Sequence, residues 1–437
     1  MNQKKIGLKL ISEYLARLFP ICRSLTGDGN RETLKILQEI IPLKIKEYPS
    51  GKNVFDWVIP EEWQIKDAWI KDKTGIKIVD FNKSNLHVVN YSRPINGSFN
   101  FSRLKKHLHI HPEIPNAIPY RTSYYKKDWG FCVTHEQYDL LKKSNTSLNV
   151  KIDSNFKKNG SLTIGELLIK GKNNYESLIS TYICHPSLAN DNLSGTLLTA
   201  LLAKELLKIK NLKRSYRFIW VPETIGAIAY CAYNKSKIKK IDEGLVLTTV
   251  GGPGPFAYKQ SYDSHSSINS IIEDVFEGKE IPLKKYPFDI FGSDERQFSS
   301  QGFKINMASI TKDKYYEYPY YHTSLDNLDF VKPEYIKQSL DLYKSVIKKI
   351  DEDSIYKSKL TDCEVMLSKH NLYPKLGGSI LSKNMQLNEL NNILWLLNLS
   401  NGHNGIHGIS KKTGIDRIKL KRTADKLVSK GIMDKII

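Results

Sequence analysis

The chain begins with a helical pattern and then turns to short stretches in which apolar and polar residues alternate. In residues 1–27 the charged Glu13 and Arg17 lie among apolar positions, which predicts an amphipathic helix. Residues 51–135 are rich in aromatic residues and contain the alternating stretches KNVFDWVIP, DAWIKDKTGIKIVDF and NLHVVNY. A period of two is typical of half-buried strands. This segment is therefore predicted to be a small β-rich unit.

From about residue 145, continuous apolar runs alternate with helical patterns. A leucine-rich helix follows Asp191, one apolar run ends at Glu223, another spans 244–252, and residues 266–280 again have helical spacing. The first three apolar runs are SLTIGELLIKG, ESLISTYICHP and SYRFIWVPE. Such runs separated by helices are typical of a parallel sheet that is covered on both faces. We predict an α/β fold whose sheet has a parallel centre.

The last 70 or so residues contain three helical patterns separated by glycine-containing turns, and then a short apolar segment. The patterns are LNNILWLLNLS, GIHGISKKTG and IDRIKLKRTADKLVSKG, followed by IMDKII. This order predicts a winged helix-turn-helix, with residues 352–360 as the segment that joins it to the preceding unit. The basic side chains of the third helix are spread around it and diluted by Asp416 and Asp425. We therefore favour a packing or protein-contact role, with DNA binding as the alternative.

Composition narrows the protein classes. With 437 residues and 40% hydrophobic content, the chain can form two or three domains. No apolar run approaches the roughly 18 residues of a membrane span, so we expect a cytoplasmic protein without a membrane partner. The five cysteines lie far apart and show no CxxC spacing, which favours reduced thiols. The formal charge of +20 comes from lysines spread along the whole chain, so it indicates compositional bias rather than a nucleic-acid surface.

Candidate chemistry collects at the predicted strand ends. His185 and Glu223 end two of the apolar runs, and Asp191 starts the next helix. Ligands of open α/β sheets bind at the carboxyl ends of the strands, and the loops that carry Asp294 and His322 can fold over the same edge. Two histidines with several carboxylates are ligands that zinc accepts. A free carboxylate beside a metal-bound water can then serve as general base.

Each of these residues also has a simpler interpretation when it is taken alone. His185 can be a hydrogen-bonded loop residue, Asp191 an N-cap and Glu223 a buried salt-bridge partner. His322 can be a surface loop residue. Only the combination of the four favours a site.

In these motifs the chain resembles the zinc aminopeptidases, a family that also includes glutamate carboxypeptidase and glutaminyl cyclase. After His185, the matching motifs are DNLSG at 191–195, PETIG at 222–226, SDERQFSSQG at 293–302 and YHTSLDNLD at 321–329. The four motifs stand in the order of the family's own.

The resemblance implies a role for each matched residue. His185, Asp191 and His322 would be metal ligands, and Glu223 would be the general acid and base. Asp294 and Asp326 would support the site.

Over nearly its whole length the chain resembles bacterial aminopeptidase-like proteins that have an inserted β domain and a C-terminal winged helix. Their genes are often associated with surface-polysaccharide biosynthesis. The resemblance implies a mixed sheet with a parallel centre, in a discontinuous catalytic domain of residues 1–50 and 140–352. The inserted β-rich domain would span 51–139, and the winged helix-turn-helix domain 360–437.

Arg121 lies in the segment AIPYRTSYYKKDWGFC, which matches the inserted domain. From there it can reach over the site and bind a substrate carboxylate or phosphate through two hydrogen bonds. A structural arginine within a tyrosine-rich β unit is an equally open interpretation.

The chain departs from the two-zinc members of the family at two ligand positions. Thr224 stands where they have a glutamate, and Thr248 or Thr249 stands where they have an aspartate. Threonine does not replace a carboxylate as a zinc ligand of similar strength. We therefore expect one zinc ion between the two histidines.

The leading hypothesis is a zinc-dependent hydrolase of the aminopeptidase type that acts on an amide or peptide-like bond in a small substrate. One alternative is a catalytically inactive protein that binds a ligand or partner in the same pocket. Another is a DNA-binding regulator that senses a metabolite. A homo-oligomer is compatible with each of them.

Overall fold

A computed structural model describes residues 2–123, 125–144, 147–173, 175–373 and 386–437. The helices are α1 (Asn2–Leu18), α2 (Asp28–Gln38), α3 (Phe101–Leu104), α4 (His135–Lys143), α5 (Gly195–Leu206), α6 (Ile225–Tyr233), α7 (Lys235–Ile238), α8 (Ser267–Gly278), α9 (Glu295–Phe298), α10 (Pro333–Glu352), α11 (Gln386–Leu399), α12 (Ile406–Thr413) and α13 (Arg417–Ser429). The strands are β1 (Lys44–Pro49), β2 (Asn53–Val54), β3 (Trp57–Val58), β4 (Glu62–Lys71), β5 (Lys77–Asp80), β6 (Ile95–Phe99), β7 (Leu108–His109), β8 (Phe131–Cys132), β9 (Leu148–Lys157), β10 (Ser161–Ile169), β11 (Glu176–Tyr182), β12 (Ser215–Val221), β13 (Ile241–Leu247), β14 (Ala257–Lys259), β15 (Lys284–Tyr286), β16 (Asn306–Thr311), β17 (Ile355–Ser358), β18 (Asn401–Gly405) and β19 (Met433–Lys435).

The central sheet has eight strands in the order β1-β10-β12-β11-β13-β16-β14-β15. The pairs β12/β11, β11/β13 and β13/β16 are parallel, whereas β1, β10 and β14 pair antiparallel at the sides. The predicted mixed sheet with a parallel centre is confirmed. Its central strands are continuous apolar runs because helices cover both of their faces.

The two faces of this sheet have separate cores. Helices α1, α2, α5, α8 and α10 pack on one face, where α5 and α8 contribute Leu198 and Phe276. Helix α6 packs on the other face, together with Trp63 at the edge of the β-rich unit. Among the described residues, no helix is both long enough and apolar enough to cross a membrane.

The β-rich unit contains a four-stranded sheet in the order β5-β4-β9-β6, which confirms strands in this part of the chain. Strand β9 lies beyond residue 139, where the insertion was predicted to end, yet it pairs antiparallel along almost all of β4. The sheet therefore extends at least to Lys157. The strand predicted at 85–91 is wrong: Asn85–His87 form a single 3₁₀ turn. Leu86 and Val89 pack in a small apolar cluster there rather than in a sheet.

The C-terminal unit is a winged helix-turn-helix of α11, α12 and α13 with a three-stranded sheet in the order β18-β17-β19. The prediction that residues 352–360 are only a joining segment is wrong. They contain β17, the central strand of this small sheet, which pairs with β18 and β19. Tyr356 of β17 is buried in the unit's apolar core, so the unit begins at this strand.

Helix α12 of the C-terminal unit rests on α8 of the central domain. The Ser267 hydroxyl, at the start of α8, accepts hydrogen bonds from the backbone N–H groups of Gly405 (3.0 Å) and Gly408 (3.1 Å) at the start of α12. This contact satisfies N–H groups that a helix start otherwise leaves without partners. Arg417 forms an ion pair with Asp274 of α8 in the same interface.

Replacing Gly405 with alanine is expected to loosen this interface. A Cβ atom at Gly405 would overlap the Asp353 carboxylate and lie 2.7 Å from Ser267 Oγ. Because both neighbours hold hydrogen bonds in the interface, we expect a cost of about 1–3 kcal/mol in the free energy of unfolding, measured by urea denaturation.

Gly278→Ala is the matched control, because a Cβ atom there meets no heavy atom within 4 Å. It should leave the free energy of unfolding unchanged or raise it by about 0.4–1 kcal/mol. Equal effects of the two substitutions would contradict the tight contact.

Candidate metal centre

Two neighbouring parallel strands deliver the first site residues. Strands β11 and β12 end at Tyr182 and Val221, and Ile183 N–H donates to the Val221 carbonyl (2.9 Å), which continues the pairing. The segments that follow therefore leave the same edge of the sheet. They carry His185 and Glu223, as the sequence predicted for strand-end residues.

His185, Asp191 and His322 come together at this edge, with their possible ligand atoms all within 4.8 Å of one another. His322 Nε2 lies 2.9 Å from Asp191 Oδ2. That contact does not have the alignment of a hydrogen bond, and within the described part of the chain neither atom has another partner. The two atoms are thus close enough to bind one ion together.

The protonation states of Asp191 and His185 favour binding of a cation. Burial alone would raise the pKa of Asp191, but the neighbouring His185 and His322 lower that pKa to about 2. Burial lowers the pKa of His185 to about 4. Near neutral pH the aspartate is therefore an anion and the His185 imidazole is neutral, which are the forms that bind zinc.

Asp191 is held from the backbone side by Asp326. The Asp326 carboxylate accepts hydrogen bonds from Asn190 N–H (2.6 Å) and Asp191 N–H (2.9 Å), and the Tyr318 hydroxyl donates to it (3.0 Å). Burial raises the pKa of Asp326 to about 7. The N-cap interpretation of Asp191 is wrong, because α5 begins four residues later and the Asp191 side chain bonds to Tyr182 instead.

Glu223 lies beside the three predicted ligands. One of its carboxylate oxygens, a His185 ring nitrogen and Cys184 Sγ lie within 4.8 Å of one another. Although part of Glu223 is exposed to the cavity, desolvation, followed by the charges of Asp294 and Asp191, raises its pKa well above the usual range. No sequence pattern had indicated Cys184, which accepts a hydrogen bond from Glu223 N–H (3.2 Å).

Asp294 supports the turn that follows Glu223. It accepts a hydrogen bond from Thr224 N–H (2.8 Å), and Thr224 adopts a positive φ of 65°. Burial raises the pKa of Asp294 to about 7. Asp294, which the sequence predicted to support the site, thus lies next to Glu223.

Thr248 and Thr249, the two candidates for one of the ligand positions at which a carboxylate was expected to be missing, have different surroundings. Thr248 is fully buried and its hydroxyl lies 2.7 Å from the Tyr182 hydroxyl, which donates to Asp191 Oδ1. Thr249 lies one residue farther, with a φ of 48°, and its carbonyl accepts from Lys312 N–H (2.9 Å). Sequence reasoning missed Tyr182, because it ends an apolar run that reads as sheet core.

The β-rich unit contacts the loop that carries His322. Tyr120 N–H donates to the His322 carbonyl (2.7 Å), and Pro119 pairs with Thr323 as an isolated antiparallel bridge. The Tyr120 ring also lies 5.1 Å from the His185 ring and 5.0 Å from the His322 ring, centroid to centroid. His322 adopts a positive φ of 56°, so this contact holds it in a conformation that histidine rarely adopts.

A cavity of about 240 Å³ opens at the site. Its walls include His185, Glu223 and His322, and also Arg121 from the β-rich unit and Arg296 from α9. Arg121 therefore lines the cavity, as one of its two sequence interpretations expected, and Arg296 lines it as well. Asp326 lies behind the wall, below the Asn190 and Asp191 backbone.

A cation fits the charge balance of this edge. Four acidic residues meet there, and in the described part of the chain none of them forms an ion pair with lysine or arginine: Asp191, Glu223, Asp294 and Asp326. Buried carboxylates normally have a cationic partner or coordinate a metal. His185, Asp191 and His322 offer two ring nitrogens and a carboxylate oxygen, which are donors that zinc accepts.

Comparison with known proteins agrees with this architecture. A family model described as "Domain of unknown function (DUF4910)" matches residues 12–353, and one described as winged helix-turn-helix matches residues 354–435. A Clostridium acetobutylicum protein, provisionally named a polysaccharide biosynthesis protein with an aminopeptidase-like domain, is 41% identical over 95% of this chain and 94% of its own length.

Solved structures give the same result. A crystal structure of a protein provisionally called a peptidase, also from C. acetobutylicum, has a TM-score of 0.79 and 38% identity, and the match covers 100% of this chain and 98% of that one. The zinc aminopeptidase BSAP from Bacillus subtilis has a TM-score of 0.58 at 14% identity, over 79% of this chain and 94% of that one. The predicted aminopeptidase-like fold with a winged helix is confirmed.

Replacing Asp326 with alanine is expected to destabilise the protein through the Asp191 segment. Two buried backbone N–H groups would lose their acceptor, so we expect a loss of about 2–4 kcal/mol in the free energy of unfolding. Urea denaturation of the full chain without added metal measures it.

Asp329→Ala is the matched control on the same loop, since the Asp329 side chain is 99% exposed. It should change the free energy of unfolding by no more than about 0.5 kcal/mol. An Asp326 variant as stable as this control would contradict the assigned support role.

Proposed function

The chain belongs to the family described as "Domain of unknown function (DUF4910)", and on this premise we propose that it is a zinc-dependent hydrolase of the aminopeptidase type. Its substrate is a small molecule with an amide or peptide-like bond. The main supporting observation is that the possible ligand atoms of His185, Asp191 and His322 lie within 4.8 Å of one another, that Asp191 Oδ2 and His322 Nε2 have no hydrogen-bond partner among the described residues, and that Glu223 lies beside His185. The aminopeptidase-like fold supports the same proposal.

His185, Asp191 Oδ2 and His322 Nε2 would hold one zinc ion. Bound there, zinc supplies a Lewis acid that polarises the carbonyl under attack and lowers the pKa of a water molecule. Glu223 would accept the proton of the attacking water molecule and pass it to the leaving nitrogen. One Glu223 carboxylate oxygen lies within 4.8 Å of a ring nitrogen of His185. At that distance one water molecule fits between the Glu223 carboxylate and the proposed zinc position.

The cavity supports a small substrate that carries an anionic group. Its volume of about 240 Å³ admits a few residues or one sugar-sized unit rather than a folded chain. Among the described residues, neither Arg121 nor Arg296 of its wall forms an ion pair with an acidic side chain, although Arg296 Nη1 donates to the Ile290 carbonyl (3.4 Å). The positive charge of both side chains can therefore attract a carboxylate or phosphate. With the relative's name, this supports a role in surface-polysaccharide biosynthesis.

The C-terminal unit serves, in this proposal, as a fixed packing unit rather than a DNA reader. The start of α13 is the part of such a helix that contacts base edges, and here its Arg417 is paired with Asp274 of the central domain. Lys411 of α12 is paired with Glu273 (2.6 Å) on the same helix α8. Both contacts turn basic side chains toward the protein.

Glu223→Gln tests the hydrolase against an inactive binding protein of the same fold. Glutamine keeps the shape but cannot accept a proton, so we expect turnover of an aminoacyl substrate found by a library scan to fall about 10²–10⁴-fold. Zinc per chain, measured by inductively coupled plasma mass spectrometry, should stay at one. His322→Ala should lower the bound zinc instead.

Glu277→Gln, on the exposed side of α8, is the control and should keep full turnover. A wild-type chain that binds no zinc after reconstitution would contradict the proposed hydrolase. So would unchanged turnover in Glu223→Gln.

Fluorescence anisotropy with a DNA duplex tests the role of the C-terminal unit. We expect a Kd no tighter than about 10⁻⁶ M at physiological salt, which is typical of non-specific binding. Neutralising the exposed Lys421 and Arg422 to glutamine should leave zinc content and stability unchanged. A specific Kd near 10⁻⁸ M that this double substitution abolishes would favour the regulator instead.

A further inference from the structure

The two carboxylate oxygens of Asp191 have different environments. Oδ2 lies 2.9 Å from His322 Nε2 and faces the proposed metal position. Oδ1 accepts a hydrogen bond from the Tyr182 hydroxyl, and Tyr182 is 4% exposed. The carboxylate is therefore divided between a metal-facing oxygen and a protein-bound oxygen.

The direction of the hydrogen bonds around Tyr182 follows from donor counting. A carboxylate only accepts, so the single hydroxyl hydrogen of Tyr182 goes to Asp191. The Thr248 hydroxyl, 2.7 Å from the Tyr182 oxygen, must then donate to Tyr182. Thr248, Tyr182 and Asp191 form a buried chain that runs in one direction, and each member fixes the next.

This chain restricts how many ions Asp191 can serve. A carboxylate that bridges two metal ions about 3.5–4 Å apart places one oxygen on each ion, so a hydroxyl donor on one oxygen competes with an ion for it. Here Oδ1 already accepts from the Tyr182 hydroxyl, which in turn accepts from the Thr248 hydroxyl. A second ion would have to compete with the Tyr182 hydroxyl for Oδ1.

We infer that Tyr182 is a positioning residue: its hydroxyl holds Asp191 by Oδ1, so that the aspartate presents Oδ2 to one metal ion and no oxygen to a second. The inference rests on the proposed zinc site. It assigns to Tyr182 and Thr248 the role of setting the metal count. Partners of this kind orient metal ligands, and their loss typically weakens metal binding 10–100-fold.

The test measures zinc binding to the full-length chain rather than activity. Metal-free protein is titrated with zinc in competition with a chromophoric chelator, and zinc per chain is counted by mass spectrometry. Wild type should saturate at one zinc. Tyr182→Phe should bind zinc about 10–100-fold more weakly, and Thr248→Val should shift the affinity in the same direction by a smaller factor.

Tyr343→Phe is the matched control. Tyr343 is a fully buried tyrosine whose hydroxyl donates to the Ile310 carbonyl (2.7 Å), on a helix that the proposed ligands do not contact. Its removal should lower the stability of the metal-free protein, measured by urea denaturation, and leave the zinc affinity unchanged. If Tyr182→Phe behaves in the same way, its role is only structural and the inference is overturned.

Other outcomes separate the inference from the proposed function. Two zinc ions per wild-type chain would overturn the inference and leave the hydrolase standing. One zinc with unchanged affinity in both Tyr182→Phe and Thr248→Val would do the same. No zinc in the wild type would overturn the proposed function as well. If Tyr182→Phe does not fold, Thr248→Val alone decides, because it removes the donor that orients Tyr182.

Discussion

Four acidic side chains meet at one edge of the central sheet without a lysine or arginine partner among the described residues, and the surrounding structure is arranged to hold them. The protein stabilises them with neutral donors instead. Backbone N–H groups bond to Asp326 and Asp294, and a hydroxyl group bonds to Asp191. Such donors fix the positions of the carboxyl groups without supplying a cation, so a metal ion can still take that role.

The sequence predicted the parts of this arrangement that follow from sheet topology. His185 and Glu223 were identifiable because strand ends of a parallel sheet converge on one edge. Tyr182 was not, since an aromatic residue that ends an apolar run has the same pattern whether its hydroxyl is used or not. Cys184 lies beside His185 in the chain, but nothing in its spacing indicated contact with Glu223.

The fold, too, was predictable where the pattern is local and not where it depends on distant segments. Long apolar runs gave the central strands correctly, because burial on both faces leaves a strong pattern. Strand β9 was assigned to the wrong unit, and β17 was taken for a joining segment. Both depend on distant partners, β4 in one case and β18 with β19 in the other, and pairing between distant segments leaves no local signal. The segment 85–91 makes only isolated bridges, such as that between Val88 and Phe131, and its apolar residues pack in clusters, so their alternation was misleading.

The Ser267 contact makes the C-terminal unit share its folding with the central domain. A helix start is one of the weakest points of a small domain, and α12 has its N–H groups satisfied by a hydroxyl from another unit. When either unit is unfolded, the Ser267 hydroxyl and the Gly405 and Gly408 N–H groups lose each other as hydrogen-bond partners. Thermal denaturation should therefore couple the two units into a single cooperative transition, although their cores are separate.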